Sequence, residues 1–472
     1  MLCALGWTIL LLLGGVEYVQ SDETSIASTT RSSEDEDGLF LTPLIKKNDT
    51  EKARNESRVP LFKNFEVDAF SGYITINETT NSNLFFLLVV AKGNKSDAPL
   101  LLWTQGGPGL SALFGQFLQN GPVAFDPYKN FTQRTNTLQN NMSIIYLDLP
   151  VGAGFSFTEN TTAYPKSLED ISGSVMEFLE QFLKVFPEYI CRDFYVAGES
   201  YGARYSVSIA HTLLIKTRNI PLILKGIISG NGFLGPILDT ADSSDFRYWT
   251  SMVDESGRQQ LSQRFQYMKS LPPENASMIT LTLYDTIFAN PPGMTPTLFQ
   301  NLTSYNDYSS PLYTERPLII QACFYFLNTS SFIRQVFHVG EKRQFQYYNE
   351  PLLMSLAPDY LRDISTLTER VLNDSSALFY TGQIDSLFPS VNQRAYYRTL
   401  NWTYSKEYRD ATRSPWRPPI WSIYQGFAGF VKRVPNFTEA MVLGMSHYGA
   451  AEKADEVYYL MLDFVNSRAS EG

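Results

Sequence analysis

Residues 198–202 read Gly-Glu-Ser-Tyr-Gly, and they stand where one periodicity gives way to another. Before them, RDFYVAG (192–198) has the apolar, aromatic and β-branched character of a short buried strand. After them, ARYSVSIAHTLLI (203–215) carries apolar residues at helical spacing. A serine between two glycines at a strand-to-helix junction is the pattern that raises a nucleophile above a sheet. The same residues also fit an ordinary loop, so the rest of the chain has to choose.

Outward from this junction the rhythm repeats. PLLLWTQGG (99–107), SIIYLDLPVG (143–152), LKGIISGNG (224–232), SALFYTG (376–382) and AMVLGMS (440–446) are further apolar strands separated by helical stretches. One such stretch, SLEDISGSVMEFLEQFLKVF (167–186), puts its acidic residues in the first turn. Phe65–Ile76 and Leu84–Val90 flank a polar turn and read as an antiparallel pair. The expected fold class is α/β, with a mostly parallel sheet and helices on both faces. Residues 236–351 break the rhythm with an amphipathic stretch (254–271) and Pro-, Asn- and Tyr-rich loops, and are expected to form a largely helical cap insertion. No internal repeat interrupts this plan.

The 472 residues are 44% hydrophobic, enough for a large core, and the net charge of −10 argues against nucleic-acid binding. Residues 1–21 read as a secretory signal, with an apolar core over 4–16 and small residues at 19–21. That run is short for a membrane span, its n-region lacks Lys and Arg, and no later run qualifies as transmembrane. Residues 22–58 form a polar segment expected to be disordered or removed as a propeptide, which leaves 59–470 as the folded domain. Thirteen N-x-Ser/Thr sites, at Asn48, Asn55, Asn77, Asn94, Asn130, Asn141, Asn160, Asn275, Asn301, Asn328, Asn373, Asn401 and Asn436, fit a glycoprotein of the secretory route, secreted or lysosomal. Beyond Cys3, only Cys191 and Cys323 remain, enough for one disulfide or none. Three histidines and no CxxC exclude a His- or Cys-rich metal centre.

A serine hydroxyl needs a base, and in a sheet enzyme of this kind the partners follow in the order Ser, Asp/Glu, His. His447 directly follows the strand-like 440–446, whereas His211 lies on the helix after the serine and His338 within the insertion. Asp385 comes just after the strand at 376–382; Asp359, Asp363 and Asp374 are nearby but follow no strand. Ser200, Asp385 and His447 are therefore the candidate triad. WTQGGPG (103–109) supplies glycines after an early strand, and the amides of Gly107 and Tyr201 are the expected oxyanion donors. A phosphate loop is the rival reading of these glycines, but no GxxxxGK[ST] is present.

In order along the chain, LLLWTQGGPG, IIYLDLPVGAGFSF, FYVAGESYGARY, GIISGNG, FYTGQID and GMSH resemble the serine carboxypeptidase family, peptidases of the α/β-hydrolase fold. The similarity spans about residues 40–464, and LFLTPLI with QGGPG looks most like the vitellogenic-like branch. The resemblance implies release of single residues from the C-termini of peptides or proteins, with no cofactor. It assigns Ser200, Asp385 and His447 as the triad, Gly107 and Tyr201 as the oxyanion hole, and Gln105, Gly106, Gln119 and Glu199 to the substrate's terminal carboxylate.

Family members usually carry Glu where this chain has Gln119, and commonly Asn at Gln105. Gln119 donates a hydrogen bond at any pH, so a smaller loss of affinity near neutrality is expected. The chain also departs from the family at GESYGA, at Leu110 and at Tyr448–Ala450, and it lacks most of the usual cysteines. Two alternatives stay open: an acyltransferase or esterase using the same acyl-enzyme, and a relative that binds or protects a partner without turnover. Oligomeric state is also open, a homodimer included.

Overall fold

The computed structural model describes residues 37–93, 97–128, 130–216, 218–422 and 425–469. The signal segment and residues 22–36 of the polar segment after it lie outside these. Among the described residues twelve strands are formed: β1 Ala69–Asn77, β2 Ser82–Val89, β3 Leu100–Thr104, β4 Val123–Asp126, β5 Asn130–Gln133, β6 Ser143–Leu147, β7 Asp193–Glu199, β8 Ile223–Gly230, β9 Ser376–Gly382, β10 Ser414–Trp416, β11 Gly429–Val434 and β12 Phe437–Val442. Ten of them make one sheet, in the order β1-β2-β6-β3-β7-β8-β9-β12-β11-β10. From β6 to β12 the neighbours run parallel, while both edges are antiparallel. β4 and β5 form a separate hairpin.

Period-two alternation explains why the central strands are apolar throughout. Leu100, Leu102, Ile145, Leu147, Phe194 and Val196 enter the core on one face, with Phe178, Phe182 and Tyr205 from the covering helices. Their immediate neighbours Leu101, Trp103, Ile144, Tyr146, Tyr195 and Ala197 enter the core on the other, with Phe117, Met461 and Phe464. The helix Leu168–Val185 starts where sequence predicts, at Ser167, whose hydroxyl accepts from Asp170 N.

Between β8 and β9 every described element is helical, including Glu255–Ser270, Ala276–Ile287 and Leu318–Thr329, in keeping with a cap insertion. The expectation of disorder up to residue 58 needs correction. Helices Thr42–Lys46 and Thr50–Glu56 pack on the domain, with Leu41, Ile45 and Ala53 buried and Thr42 Oγ1 donating to Gln181. The apolar run 39–45 inside a polar stretch supplies the burial that average composition conceals.

The disulfide left open between Cys191 and Cys323 does not form; both thiols are free. Cys191 is exposed ahead of the amino end of β7, and Cys323 is buried inside the cap helix Leu318–Thr329. Of the thirteen acceptor asparagines, Asn48, Asn55, Asn77, Asn160, Asn301, Asn373 and Asn401 are exposed, and Asn141, Asn275, Asn328 and Asn436 partly so. Asn94 and the Asn130 side chain lie outside the described residues.

Candidate active site

The parallel strands deliver four loops to one edge of the sheet, at their carboxyl ends. Ser200 follows β7, Asp385 follows β9, His447 follows β12, and Gln105–Gly107 follow β3.

Ser200 has φ +58°, a left-handed conformation costly for a residue with a side chain, and its amide donates to Gly230 O. Sterics at the flanking glycines enforce the turn. A Cβ at Gly198 would sit 2.2 Å from Gly202 O, and one at Gly202 would sit 3.0 Å from Thr104 O. Helix Gly202–Leu214 can therefore start directly against the end of β3.

The three predicted side chains converge. His447 Nε2 is 3.2 Å from Ser200 Oγ, and His447 Nδ1 is 2.9 Å from Asp385 Oδ2. Asp385 is fully buried, and its other oxygen accepts from the amides of Leu387 and Phe388. The ring of Phe388 meets the imidazole edge-on at 5.1 Å, so Asp385 and its own loop fix the imidazole plane together. Burial opposes a charged imidazole, but the Asp385 carboxylate, with Glu199 and Asp307 beyond it, holds the His447 pKa above its ordinary value.

The other candidates from sequence lie elsewhere. Asp359 faces the buried Arg204, Asp363 accepts from Tyr396, and Asp374 pairs with Arg370. His211 sits in the last turn of helix Gly202–Leu214, and His338 Nδ1 lies against Ser71 Oγ.

Gly106 packs on the serine so tightly that a Cβ there would come within 2.6 Å of Ser200 Cβ. Beside it, Gln105 Nε2 and Gln119 Nε2 both donate to Glu199 Oε2, at 3.0 and 2.5 Å. Gln119 projects from a π-helical turn, Gly115–Asn120, of the kind often found at functional sites. Burial pushes the Glu199 carboxyl up to about 7, against the opposing pull of the two amides. All three side chains are buried, and Glu199 Oε1 has no hydrogen-bond partner among the described residues.

Two supports went unnoticed in sequence. Asn231, fully buried, donates from Nδ2 to Ser446 O and His447 O at 2.9 and 2.8 Å and accepts from Gly382 N at 2.7 Å. It ties the end of β9 to the histidine loop. The cap contributes Ser309, whose carbonyl accepts from the amides of both Ser386 and His447. An asparagine in a Gly-Asn-Gly turn signals a turn and nothing more, and the contact of Ser309 is wholly non-local.

A Ser–His–Asp series above a parallel sheet with a helical cap defines a hydrolase of the α/β class. The serine carboxypeptidase family model matches residues 60–467, and the chain belongs to that family. It is 30% identical to the venom serine carboxypeptidase of Apis mellifera, covering 87% of this chain and 86% of that one. It is 30% identical to the protein called probable serine carboxypeptidase CPVL of Homo sapiens, covering 87% and 85%. It is 27% identical to the vitellogenic carboxypeptidase of Aedes aegypti, covering 97% and 98%. Among solved structures, Kex1(delta)p, a prohormone-processing carboxypeptidase from Saccharomyces cerevisiae, superposes with TM-score 0.73 at 18% identity, covering 88% of this chain and 96% of that one, which shows the shared fold.

Proposed function

We propose that this serine carboxypeptidase releases C-terminal residues from peptides through an acyl-enzyme on Ser200. Ser200 Oγ attacks the scissile carbonyl carbon while His447 Nε2 takes its proton. As the C–N bond breaks, His447 returns that proton to the leaving amine. Water then repeats the sequence on the ester, with His447 again the base, and Ser200 is restored. Asp385 keeps the proton on His447 Nδ1 and stabilises the imidazolium. The amides of Gly107 and Tyr201 are the donors assigned to the oxyanion.

Exopeptidase action requires recognition of a free carboxylate. Gln105, Gln119 and the Gly106 amide are the assigned donors, and Glu199 joins them whenever it is protonated. The single observation that carries this reading is the unbroken hydrogen-bonded series Asp385–His447–Ser200. A secretory route is supported by the signal-like first residues and by the exposure of seven acceptor asparagines, Asn48, Asn55, Asn77, Asn160, Asn301, Asn373 and Asn401. Among the described residues no helix is long and apolar enough to cross a membrane.

Incubation with N-blocked dipeptides at pH 5 and pH 7, alongside their C-terminal amides, tests the reading. Release of the last residue from the free acids and not from the amides is expected. Cleavage of simple esters with none of the peptides would contradict it.

A further inference from the structure

Arg316 lies in the cap just before helix Leu318–Thr329 and reaches the residue that follows His447. Its guanidinium lies over two tyrosine rings, 5.2 Å from the centroid of Tyr308 and 5.8 Å from that of Tyr448. The two phenols are hydrogen-bonded to each other at 2.8 Å. Tyr448 directly follows His447, and the two rings are 5.8 Å apart, close to edge-on.

The aromatic cluster extends to the loop beside the nucleophile. The Tyr308 ring meets Phe288 at 4.8 Å, Phe288 meets Tyr284 at 4.5 Å, and Tyr284 OH donates to the carbonyl of Gly107 beside the nucleophile. One wall of cap aromatics thus runs from the β3 loop to the histidine, and Arg316 closes its far end.

The electrostatics of Arg316 are unusual. Its Nε is buried without a hydrogen-bond partner, and no carboxylate among the described residues forms an ion pair with it. Asp307 is close enough to be felt, but its two oxygens are occupied by the amide and hydroxyl of Ser309. A guanidinium presents five donors in a planar fork suited to a carboxylate. Held on ring faces and only partly exposed, it is less screened than a fully solvated guanidinium, which strengthens its pull on an anion.

We propose that Arg316, backed by Tyr308 and Tyr448, binds an acidic side chain on the residue being released, so that peptides ending in glutamate are preferred. This rests on the carboxypeptidase reading above. The general acid protonates the leaving nitrogen, so the leaving residue sits against the imidazole, and its side chain is the part of the substrate that reaches past Tyr448. The terminal carboxylate is already claimed by the Gln105, Gln119 and Glu199 group. Arg316 is left to select among side chains.

The test uses benzyloxycarbonyl-Phe-Glu and benzyloxycarbonyl-Phe-Gln, nearly identical in shape and differing by one charge. In the full-length Ser200→Ala protein, which removes turnover, the Glu peptide is expected to bind at least about tenfold more tightly than the Gln peptide. Arg316→Met should abolish that ratio, and Arg316→Lys should restore part of it. In the native enzyme the same ratio should appear in kcat/KM, and raised salt should diminish it. Equal affinity for the two peptides, or a preference that survives Arg316→Met, overturns the proposal. The Glu-to-Gln comparison within one protein needs no variant of Arg316 to fold. Turnover without charge preference would leave the peptidase reading intact and sink this one; binding preference without any turnover would do the reverse.

Discussion

The side-chain amide of Gln119 donates to Glu199 Oε2 at 2.5 Å, in a pocket where both groups are buried. Burial lifts Glu199 to about 7, so it is neutral in mild acid and anionic above that. An anionic Glu199 would repel a carboxylate bound at the proposed site, so, beyond the rise that follows deprotonation of the His447 base, kcat/KM is expected to fall as pH rises through about 7. In Gln119→Glu two carboxyls share one proton, and the pair carries charge from a lower pH. The fall should then begin about one pH unit earlier, given an interaction of ordinary strength for such pairs. Superimposable pH profiles of kcat/KM would contradict this.

Asn231 makes three buried hydrogen bonds that hold the histidine loop to β9. Replacement by alanine leaves two carbonyls and an amide without partners, at about 1–3 kcal/mol each before relaxation. Asn231→Ala is expected to melt several degrees lower and to lose kcat on the order of 10²-fold with KM little changed, since a small misplacement of the base is costly. A variant destabilised to the same extent but with native kcat would show that Asn231 serves stability alone.

Gly106 leaves no room beside the nucleophile. A methyl there would meet Ser200 Cβ at 2.6 Å, Glu199 O at 2.9 Å and Ser200 Oγ at 3.0 Å. Two of these contacts are with the strained turn itself, so the β3 loop must retreat. Gly106→Ala should fold but lose turnover on the order of 10²–10³-fold through displacement of the neighbouring Gly107 amide, the proposed oxyanion donor. Full activity in Gly106→Ala would remove this loop from the oxyanion site.

Three buried groups share one sign of pH linkage. Glu199 and Asp148 are each raised to about 7, chiefly by burial, and His447 is raised by Asp385 despite burial. For each, the folded state binds the proton more tightly than the unfolded chain. Their contribution is complete below the unfolded pKa and is lost as pH climbs through the folded one. For the two carboxyls the loss develops between about 4 and 7. Thermal stability should therefore decline from pH 5 to pH 8, and Asp148→Asn should flatten the slope. A melting temperature that rises steadily across that range would refute the assignment.

How much of this was legible in the sequence depends on how local each signal is. Ser200, Asp385 and His447 each follow an apolar run that could only be a strand, so their convergence followed from fold and order. The helices at 42–56 were hidden because a short apolar run was averaged into a polar stretch. A count of two cysteines carried no information on distance, and Cys191 and Cys323 proved to be free. Asn231 and Ser309 act through contacts made by loops distant in sequence, which no periodicity encodes. The edge strand β11, with Lys432 and Arg433 among its residues, lacked the continuous apolar character that marked the central strands.

The most direct measurement is covalent labelling with a fluorophosphonate probe, followed by mapping of the modified peptide. The account predicts one adduct, on Ser200, absent in Ser200→Ala and strongly slowed in His447→Ala while both variants keep the native fold. Labelling that persists in Ser200→Ala, or a folded native protein that resists the probe at every pH from 5 to 8, would contradict it.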